Sequence, residues 1–429
     1  AHQGGAGSGR RRRAGTVRAR MTGNLEDAAP GCVLFVAEAV TLAHVARLVT
    51  LATGMQAAGH RVALAADPRY ASIVGPLPFP VLEIRSMPAA RFQDAITRGT
   101  PIFDFETLDR YVADDLALLE RVSPRVVVGD FRISLGVSAR LARVPYVNLT
   151  NAYWSPLALI RRVVPEFEWV RWLGVPAAQA AFDLFERAGY ARHAAPVNRL
   201  RRKHGLPAIG HDFRLALTDG DITLYADVPQ IIPTQPLPAN QHFVGPVAWE
   251  PAVAPPAWWG RLAERRRERP LVYVSLGSSG PAAALQQVLD GLAPLDVDVI
   301  AATVADPASL RKPDNAQLAA LLPGGRACAL ADLVICNGGS PGTYQALAQG
   351  KPVIGIAGNM DQFLNMAAVE DAGCGVLVRS RAASASAVGH LAERALSTPS
   401  LDSGARAIAG HVRASDPLRV LKDYVIPPL

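Results

Sequence analysis

The 429-residue sequence has few of the features that mark membrane-spanning, metal-binding or disulfide-stabilised proteins. No apolar run reaches the roughly 18 residues that a membrane-spanning helix needs. Only four cysteines are present, and no two of them have the spacing of a metal site. The sequence also contains no Gly-x-Gly-x-x-Gly loop, which argues against a bound dinucleotide cofactor. We therefore expect a soluble, cytoplasmic protein without a structural metal, whose cysteines are reduced and buried.

The positive charge of the chain is partly local. The formal net charge is +7, and Arg10 to Arg13 form a consecutive run within a segment rich in glycine and alanine. Such a run could bind nucleic acid or a membrane, but a disordered basic leader over residues 1–29 is the simpler interpretation, with Met21 as a candidate start. No apolar segment of the signal-peptide type follows it. We therefore expect no nucleic-acid partner.

The remaining chain reads as an α/β protein with more than one domain. Half of the residues are hydrophobic, which is ample for two or three cores. Short apolar runs typical of buried parallel strands alternate with helical patterns. A proline-rich stretch, residues 247–270, interrupts this alternation and is the best candidate for a linker. We therefore predict a first domain over residues 30–246, a second over 271–415 and a C-terminal segment, 416–429.

The stretch from Asp332 to Gly375 carries the most specific pattern in the chain. In order, the pattern predicts a strand (Leu333–Cys336), a glycine-rich turn (337–343), a helix (from about Tyr344 to Gln349), a second strand (Val353–Ala357) and a polar turn (358–362). The glycines of such a turn let backbone N–H groups approach an anion closely, and the helix N-terminus adds a favourable dipole. The stretch is therefore a candidate binding site for a phosphate group.

This stretch resembles the donor-binding signature of the family-1 glycosyltransferases, the UDP-glycosyltransferase-like and macrolide-type enzymes of the GT-B fold. The signature runs His-x-Gly, a small or hydroxyl-bearing pair, Glu-Ala-Leu, Gly-x-Pro and Asp-Gln-x-x-Asn. The residues in register are Gly338, Gly339, Thr343, Ala346, Leu347, Gly350, Pro352, Asp361, Gln362 and Asn365. A second turn, Gly277-Ser278, matches the Ser-x-Gly-Ser turn of the family. The resemblance implies that these turns, including the Thr343 hydroxyl, hold the donor diphosphate, and that Asp361 and Gln362 face the sugar hydroxyls.

Three positions depart from the family pattern. Asn337 stands where the family has a histidine that contacts the donor phosphate, and Gly342 stands where a serine is common. Gln345 replaces the glutamate that the resemblance would place on the ribose hydroxyls. Amide side chains can still donate and accept hydrogen bonds, but they form no charge-assisted bond. We therefore keep Asn337, Gly342 and Gln345 among the donor-binding residues and expect donor binding to be retained, in a weaker or re-tuned form.

His44 and Asp130 are the candidate catalytic residues. His44 lies in the first turn of a helix predicted over Thr41–Ala58, where the positive end of the helix dipole disfavours the charged imidazolium. Asp130 ends another predicted strand, and the C-terminal ends of parallel strands converge on one crevice. The family resemblance also implies a His-Asp dyad at these positions. The alternative roles are a surface histidine and an aspartate that caps the following helix.

Residues 155–215 are rich in aromatic side chains and arginine. A helical stripe through Leu159, Val163, Phe167 and Val170 indicates core packing. In a GT-B enzyme the same region shapes the acceptor cleft, which would use its aromatic residues as walls. Both interpretations can hold for different residues of the segment.

The resemblance implies two Rossmann-like, doubly wound domains that face each other across a cleft. The first would bind the acceptor, the second would bind the nucleotide sugar, and the C-terminal segment would cross back to the first. No acidic Asp-x-Asp pair occurs near the site, so the helix N-terminus would take the place of a metal ion. The implied reaction is an inverting, metal-independent transfer of a hexose from a UDP- or TDP-sugar to a hydroxyl of a small, mostly apolar acceptor, a natural product or a lipid-like molecule. No cofactor is expected besides this co-substrate, and the oligomeric state, a homodimer included, is left open.

Two other interpretations stand beside this one. The first is a different GT-B enzyme, such as a lipid- or wall-precursor glycosyltransferase. Asp361-Gln362 and His44 argue against it, because those relatives tend to use a glutamate in the sugar turn. The second is a catalytically impaired, glycosyltransferase-like binding or partner protein, which the departures at Asn337 and Gln345 favour.

Overall fold

Two parallel β-sheets with helices packed around them make up the computed structural model. It describes residues 31–265, 268–277, 282–303 and 307–425. The predicted basic leader, residues 1–29, lies outside the described residues. The two sheets confirm the predicted α/β class with two Rossmann-like domains.

The first sheet has seven strands in the order β3-β2-β1-β4-β5-β6-β7. Its strands are β1 (Val33–Ala37), β2 (Val62–Ala66), β3 (Val81–Glu83), β4 (Val126–Asp130), β5 (Tyr146–Thr150), β6 (Ile222–Tyr225) and β7 (Gln241–Phe243). The helices among them are α1 (Leu42–Ala57), α2 (Ala71–Val74), α3 (Ala89–Arg98), α4 (Phe105–Val122), α5 (Leu135–Ala142), α6 (Val170–Leu173), α7 (Val175–Lys203) and α8 (Arg214–Leu217).

The second sheet has six strands in the order β10-β9-β8-β11-β12-β13. Its strands are β8 (Leu271–Ser275), β9 (Asp298–Ala302), β10 (Ala316–Ala319), β11 (Leu333–Cys336), β12 (Val353–Ala357) and β13 (Gly375–Arg379). The helices from the linker onward are α9 (Trp259–Arg265), α10 (Ala282–Leu292), α11 (Gly324–Leu330), α12 (Ser340–Ala348), α13 (Met360–Asp371), α14 (Ala385–Leu396), α15 (Pro399–Ala414) and α16 (Pro417–Val425).

The strand order reverses once in each sheet, between β1 and β4 and between β8 and β11. The central strands are runs of valine, isoleucine, leucine and alanine that are buried along their length, as expected for parallel strands covered on both faces. In open α/β sheets, ligands bind outside the carboxyl ends of the strands at such a reversal. The segments that follow β1 and β4 and those that follow β8 and β11 are therefore the places to look for a site.

Helix α16 packs against α1 of the first domain. Its Leu421 and Val425 are buried in the core that also contains β1 and α1. Gly54 of α1 makes room for Leu418, because a Cβ atom built on Gly54 would lie 2.8 Å from Leu418 Cδ2. The last described helix is thus held by the first domain, although it follows the second domain in sequence.

Residues 155–169 differ from the predicted helical stripe. They form irregular backbone, with one antiparallel bridge between Ala158 and Thr234, and the helix begins only at Val170. Proline at 156 and at 165 disfavours a helix across this stretch. Leu159 is accordingly exposed, so the first part of the predicted stripe was wrong.

Within the described residues, none of the helices has the length and apolar character that crossing a membrane requires.

Candidate active site

A cavity of about 720 Å³ lies between the carboxyl edges of the two sheets. From the first domain it receives residues that follow β1, β4 and β5, including His44, Asp130 and Asn151. From the second domain it receives residues that follow β8, β11 and β12, including Asn337 and Asp361. Both strand-order reversals therefore face one cavity.

The structure brings His44 and Asp130 together. His44 is the third residue of α1 and Asp130 is the last residue of β4, and their Nδ1 and Oδ1 atoms are 2.7 Å apart. Strand pairing places Ala37, the last residue of β1, directly opposite Asp130. The His44 ring stacks on Phe131, with ring centroids 4.9 Å apart and planes within 9°. The His44 side chain is 18% exposed, toward the cavity that it lines.

Arg47 contacts the same carboxylate from the next turn of α1. Its Nε and Nη2 atoms each donate to an Asp130 oxygen at 2.9 Å, and its Nη1 donates to Asn151 Oδ1 at 2.6 Å. Burial works against the charge of Arg47, but the attraction of Asp130, Tyr153 and Asp361 together with the hydrogen bond to Asp130 outweighs it, and the pKa of Arg47 is raised. Asp130 therefore accepts hydrogen bonds from Arg47 on both of its oxygens.

The N-terminus of α12 faces the cavity from the second domain. The helix starts at Ser340, earlier than the predicted start near Tyr344, because Gly339 provides an extended N-cap and Pro341 suits the first turn. Among the described residues, none accepts a hydrogen bond from the N–H group of Ser340 or Gly342. These two donors and the positive end of the helix dipole make an anion-binding position.

Asn337 supports this turn with one end of its amide group. Its Oδ1 accepts from the Gly339 N–H at 3.1 Å, and its Nδ2 faces Gly277 of the opposite turn, where a Cβ atom would come within 2.8 Å. The Asn337 Nδ2 group is therefore a donor at the cavity wall. Ser278, the other residue predicted in the Gly277 turn, lies outside the described residues.

Gly338 and Thr343 lie behind the cavity wall, contrary to the direct donor contact that was predicted for them. Gly338 has φ +75°, and a Cβ atom on it would lie 2.7 Å from Met366 Cγ. Thr343 is fully buried, its hydroxyl donates to the Gly339 carbonyl at 2.9 Å and it accepts from Asn365 Nδ2 at 3.1 Å. The Thr343 hydroxyl is thus committed to the turn and is not free to reach a diphosphate.

Gln345 and Gly342 line the cavity, and the Gln345 side chain also has a structural partner. Its Nε2 donates to the carbonyl of Trp249 in the linker at 2.7 Å. A glutamate at this position could not donate that bond, which gives a physical reason for the departure from the family pattern.

Asp361 and Gln362 lie in the first turn of α13 rather than in the predicted polar turn. Asn359 and Gln362 form a capping box, so Gln362 Oε1 is used by the N–H groups of Gly358 and Asn359. Asp361 Oδ1 accepts from the Tyr153 hydroxyl at 3.0 Å and from Trp154 Nε1 at 2.8 Å. Burial, with the nearby Asp361 carboxylate, raises the pKa of Tyr153 well above its usual value, so this hydroxyl stays a donor.

The far wall of the cavity, on the first domain, is largely apolar. Phe167 and Trp169 of the irregular segment line it, whereas Val170 packs in a small buried cluster, so the region contributes both to the cavity wall and to core packing. The other apolar side chains of this wall include Phe92, Ile96, Ile102, Phe131, Phe182, Phe185, Tyr190 and Phe213. Such a surface suits an apolar molecule with few polar groups.

Sequence reasoning missed Arg47, Asn151, Tyr153 and Trp154, all of which line the cavity, and it included Ser340 only as part of the predicted glycine-rich turn. Arg47 follows His44 at the i,i+3 spacing that places two side chains on one helix face, which was an available signal. Asn151, Tyr153 and Trp154 directly follow β5, whose carboxyl end lies beside that of β4. Within the described residues, no group of three histidine, cysteine or acidic side chains could hold a metal ion.

Two comparisons identify related sequences. The family profile described as erythromycin biosynthesis protein CIII-like, C-terminal domain, matches residues 286–424. A PGL/p-HBAD biosynthesis glycosyltransferase of Mycobacterium tuberculosis is 46% identical over 377 residues, 88% of this chain and 87% of that protein. A PGL/p-HBAD biosynthesis rhamnosyltransferase of Mycobacterium bovis is 48% identical over 360 residues, 82% of this chain and 79% of that protein.

A further relative and a solved structure are also similar to this chain. An inactive PGL/p-HBAD biosynthesis glycosyltransferase of Mycobacterium bovis is 45% identical over 260 residues, 61% of this chain and 70% of that protein. The spinosyn rhamnosyltransferase SpnG, complexed with thymidine diphosphate, superposes with a TM-score of 0.65 at 21% identity, covering 92% of this chain and 99% of that one. At this level of identity the likeness shows that the two chains share a fold.

Proposed function

The chain belongs to the family-1 glycosyltransferases of the GT-B fold, and on that premise we propose that it transfers a hexose from a UDP- or TDP-sugar to a hydroxyl of a small, mostly apolar acceptor. One observation carries the proposal. The His44–Asp130 pair of the first domain and the open N-terminus of α12 in the second domain line the same cavity. A base and an anion-binding position on opposite walls suit a transfer with a diphosphate leaving group.

The proposed base is His44 Nε2. Asp130 is an acceptor toward Nδ1, so Nδ1 carries the proton and the Nε2 lone pair is left for the cavity. The acceptor hydroxyl gives its proton to Nε2 as its oxygen bonds to the anomeric carbon. The bond between that carbon and the diphosphate oxygen breaks, and the nucleoside diphosphate leaves with the electron pair. A single displacement of this kind inverts the anomeric configuration.

The proposed leaving-group site is the first turn of α12. Three donors would stabilise the charge that develops on the diphosphate: the N–H groups of Ser340 and Gly342 and the Nδ2 of Asn337. Aimed donors of this kind can stabilise a leaving diphosphate without a metal ion. We infer a metal-independent transfer on this basis.

Asp361 is the proposed contact for the sugar. Its Oδ1 is occupied by Tyr153 and Trp154, and its Oδ2 is left as the acceptor for sugar hydroxyls. The names of the two rhamnosyltransferases among the relatives make a TDP-linked deoxyhexose such as rhamnose the first donor to try, beside glucose donors. The apolar wall around Phe131 and Phe182 supports an aromatic or aliphatic acceptor with few polar groups.

The test is product formation from a matrix of TDP-rhamnose, TDP-glucose and UDP-glucose against phenolic and macrolide acceptors, with and without a chelator. We expect a product from at least one pairing, turnover unchanged by the chelator, and an anomeric coupling constant that reports inversion. Turnover abolished by the chelator would contradict the metal-independent mechanism, and retention would contradict the single displacement.

A binding or partner protein without turnover is the second candidate, because one relative is named inactive. The intact contact between His44 and Asp130 and the open helix terminus favour the enzyme. Nucleotide binding without product from any pairing would favour the second candidate instead.

A further inference from the structure

A continuous series of polar contacts crosses the cavity from the proposed base to the proposed donor helix. It runs from His44 to Asp130 at 2.7 Å, from Asp130 to Arg47 at 2.9 Å and from Arg47 to Asn151 at 2.6 Å. It ends where Asn151 Nδ2 meets Ser340 Oγ at 3.1 Å. Ser340 is the first residue of α12, so the series joins the two domains.

We propose that Arg47 is a positioning residue that keeps His44 uncharged and correctly oriented, and that Asn151 ties this arrangement to the donor helix. The proposal rests on the proposed function, because it assigns Arg47 its role relative to His44 as the base. Arg47 acts through its neighbours and keeps its own charge throughout.

The charge argument starts from Asp130. A lone buried carboxylate beside an imidazole favours the imidazolium, which cannot accept a proton. Here the guanidinium of Arg47 binds both oxygens of Asp130, and its Nη2 lies 3.3 Å from His44 Nδ1. Arg47 thus offsets the negative charge that would favour a second proton, on Nε2, and its own positive charge disfavours the imidazolium. Asp130 and Arg47 are both buried, so solvent screens this effect only weakly.

The donor pattern also fixes the tautomer. A carboxylate can only accept, so the 2.7 Å contact with Asp130 requires a proton on Nδ1, and the longer 3.3 Å approach of the Arg47 guanidinium is not a hydrogen bond to that nitrogen. Both Asp130 oxygens accept from Arg47, and the arrangement that also satisfies the His44 contact has Nδ1–H donating to Asp130. The Nε2 lone pair is then left for the substrate hydroxyl.

Asn151 sets the link to the second domain. Its Oδ1 accepts from Arg47, and its Nδ2 donates to Ser340 Oγ at 3.1 Å and to Asp227 Oδ1 at 3.0 Å. The reversed amide would turn its donors toward the guanidinium, so this orientation is determined. Burial raises the pKa of Asp227 to about 6, and the Asn151 and Ala152 donors oppose that rise. Arg47 is thereby held in register with the first turn of α12.

The surroundings of His44 contain few other charges. Among the described residues, only Asp130 and Arg47 make a polar contact with its ring. The remaining titratable or charged side chains that line the cavity are Arg98, Tyr153, Glu186, Tyr190, His193, Tyr273 and Asp361. A change of charge at position 47 should therefore dominate any change in the protonation of His44.

The test compares Arg47→Gln with Arg47→Lys. We expect the acidic limb of the pH dependence of kcat/KM to move up by about one pH unit in Arg47→Gln, because the uncharged variant lets His44 hold its proton more tightly. Arg47→Lys keeps the positive charge, so the acidic limb of its pH profile should move much less. Its kcat should still fall, because a lysine cannot bind both oxygens of Asp130 as the guanidinium does. In parallel, an NMR titration of the imidazole C–H resonances gives the midpoint of His44 protonation in the enzyme without substrates. The His44 signals are assigned by their absence from the spectrum of His44→Gln.

An unchanged limb and an unchanged midpoint in Arg47→Gln, with kcat lowered equally at all pH values, would overturn the proposal and leave Arg47 a packing role. If Arg47→Gln does not fold, Asp130→Asn is compared with Asp130→Asn/Arg47→Gln, which leaves no unpaired buried carboxylate. The double variant should raise the His44 midpoint by about one pH unit over the single one. Full transfer by His44→Gln would reject the proposed base, whereas the resonance titration would still report the effect of Arg47 on His44.

The link through Asn151 has its own readout. Asn151→Ala should lower kcat about tenfold while nucleotide affinity changes less than threefold, because the side chain holds Arg47 in place. Nucleotide affinity that falls by the same factor as kcat/KM would instead make Asn151 a simple part of the donor site and overturn the link.

Discussion

Phe131 shows how single residues build the catalytic end of the cavity. It follows Asp130 directly and has φ +59°, a left-handed backbone that is uncommon for a bulky side chain and costs about 1 kcal/mol or more. This conformation turns the chain sharply at the end of β4 and places the Phe131 ring flat against His44. The stacked ring fixes the imidazole plane, so the Phe131 ring and the Asp130 carboxylate together orient the His44 side chain.

His44→Ala tests the proposed base. We expect transfer to fall by a factor of about a hundred or more, since a positioned general base contributes about that much. Nucleotide binding should be retained, because the α12 terminus lies on the opposite wall of the cavity. Single-turnover rates and calorimetric titration with nucleoside diphosphate measure the two quantities separately. Unchanged turnover would contradict the assignment of His44.

Asn337→His tests the departure from the family signature. A histidine can accept from the Gly339 N–H as Asn337 does and present its other ring nitrogen to the diphosphate. When protonated it would form a charge-assisted bond, so we expect about tenfold tighter nucleotide binding, more so at lower pH. Asn337→Gln serves as a control that adds length without charge. Looser binding in Asn337→His would indicate a site tuned by asparagine for a different donor.

At the scale of elements, the start of α13 explains why its signature residues are spaced as they are. Gln362 closes a capping box with Asn359, and one turn later Asn365 donates to the Gly338 carbonyl at 2.8 Å and to the Thr343 hydroxyl at 3.1 Å. The Asp-Gln-x-x-Asn pattern therefore joins Asp361, the proposed sugar contact, to Gln362 and Asn365, which hold the helix and the neighbouring glycine turn in place. The pattern is part binding site and part scaffold.

The contact between α1 and α16 gives a test of the C-terminal packing. Gly54→Ala should add up to about 1 kcal/mol to the stability of α1 through helix propensity, but the clash with Leu418 should offset this gain. In a Leu418→Ala background the clash is absent, so the same substitution should raise the free energy of unfolding of the first domain. A double-mutant cycle by urea denaturation gives the coupling between the two positions. Additive effects would contradict the contact.

The strands around the site were predictable from sequence, whereas the contacts across the cavity were not. Leu333–Cys336 and Val353–Ala357 match their predicted bounds because buried parallel strands are continuous apolar runs. The start of α12 was placed too late, because Ser-Pro-Gly reads as a turn although proline also suits a first helical turn. The pairing of Asn151 with Ser340 joins residues 189 positions apart, which no local pattern encodes.

At the scale of the whole molecule, both domains contribute hydrogen-bonding groups to each other across the cleft. Tyr153 and Trp154 bind Asp361, Asn151 binds Ser340, and Gln345 binds the linker at Trp249. A salt bridge between Arg379 and Glu166 adds a contact at the edge. These contacts hold the arrangement in which the proposed base and the anion-binding turn share one cavity.

A titration with nucleoside diphosphates tests this arrangement as a whole. TDP or UDP should raise the apparent melting temperature by a few degrees at a hundredfold excess over its Kd, because binding adds about 2.7 kcal/mol to the stability of the folded state. The nucleotide that gives the larger shift identifies the donor class before any acceptor is known. Adenosine diphosphate serves as the matched control. No shift with either nucleotide would mean that the altered signature has lost its ligand.

The hydrogen bond between Trp154 and Asp361 has an optical consequence. Indole emission responds to the charge and hydration around Nε1, and this nitrogen lies 2.8 Å from the carboxylate that is proposed to meet the sugar. Donor binding should therefore change the fluorescence of Trp154 among the six tryptophans of the chain, and Trp154→Phe should remove that change while the other five still emit. The occupancy of the sugar site could then be followed in real time, without a label, in the unmodified protein.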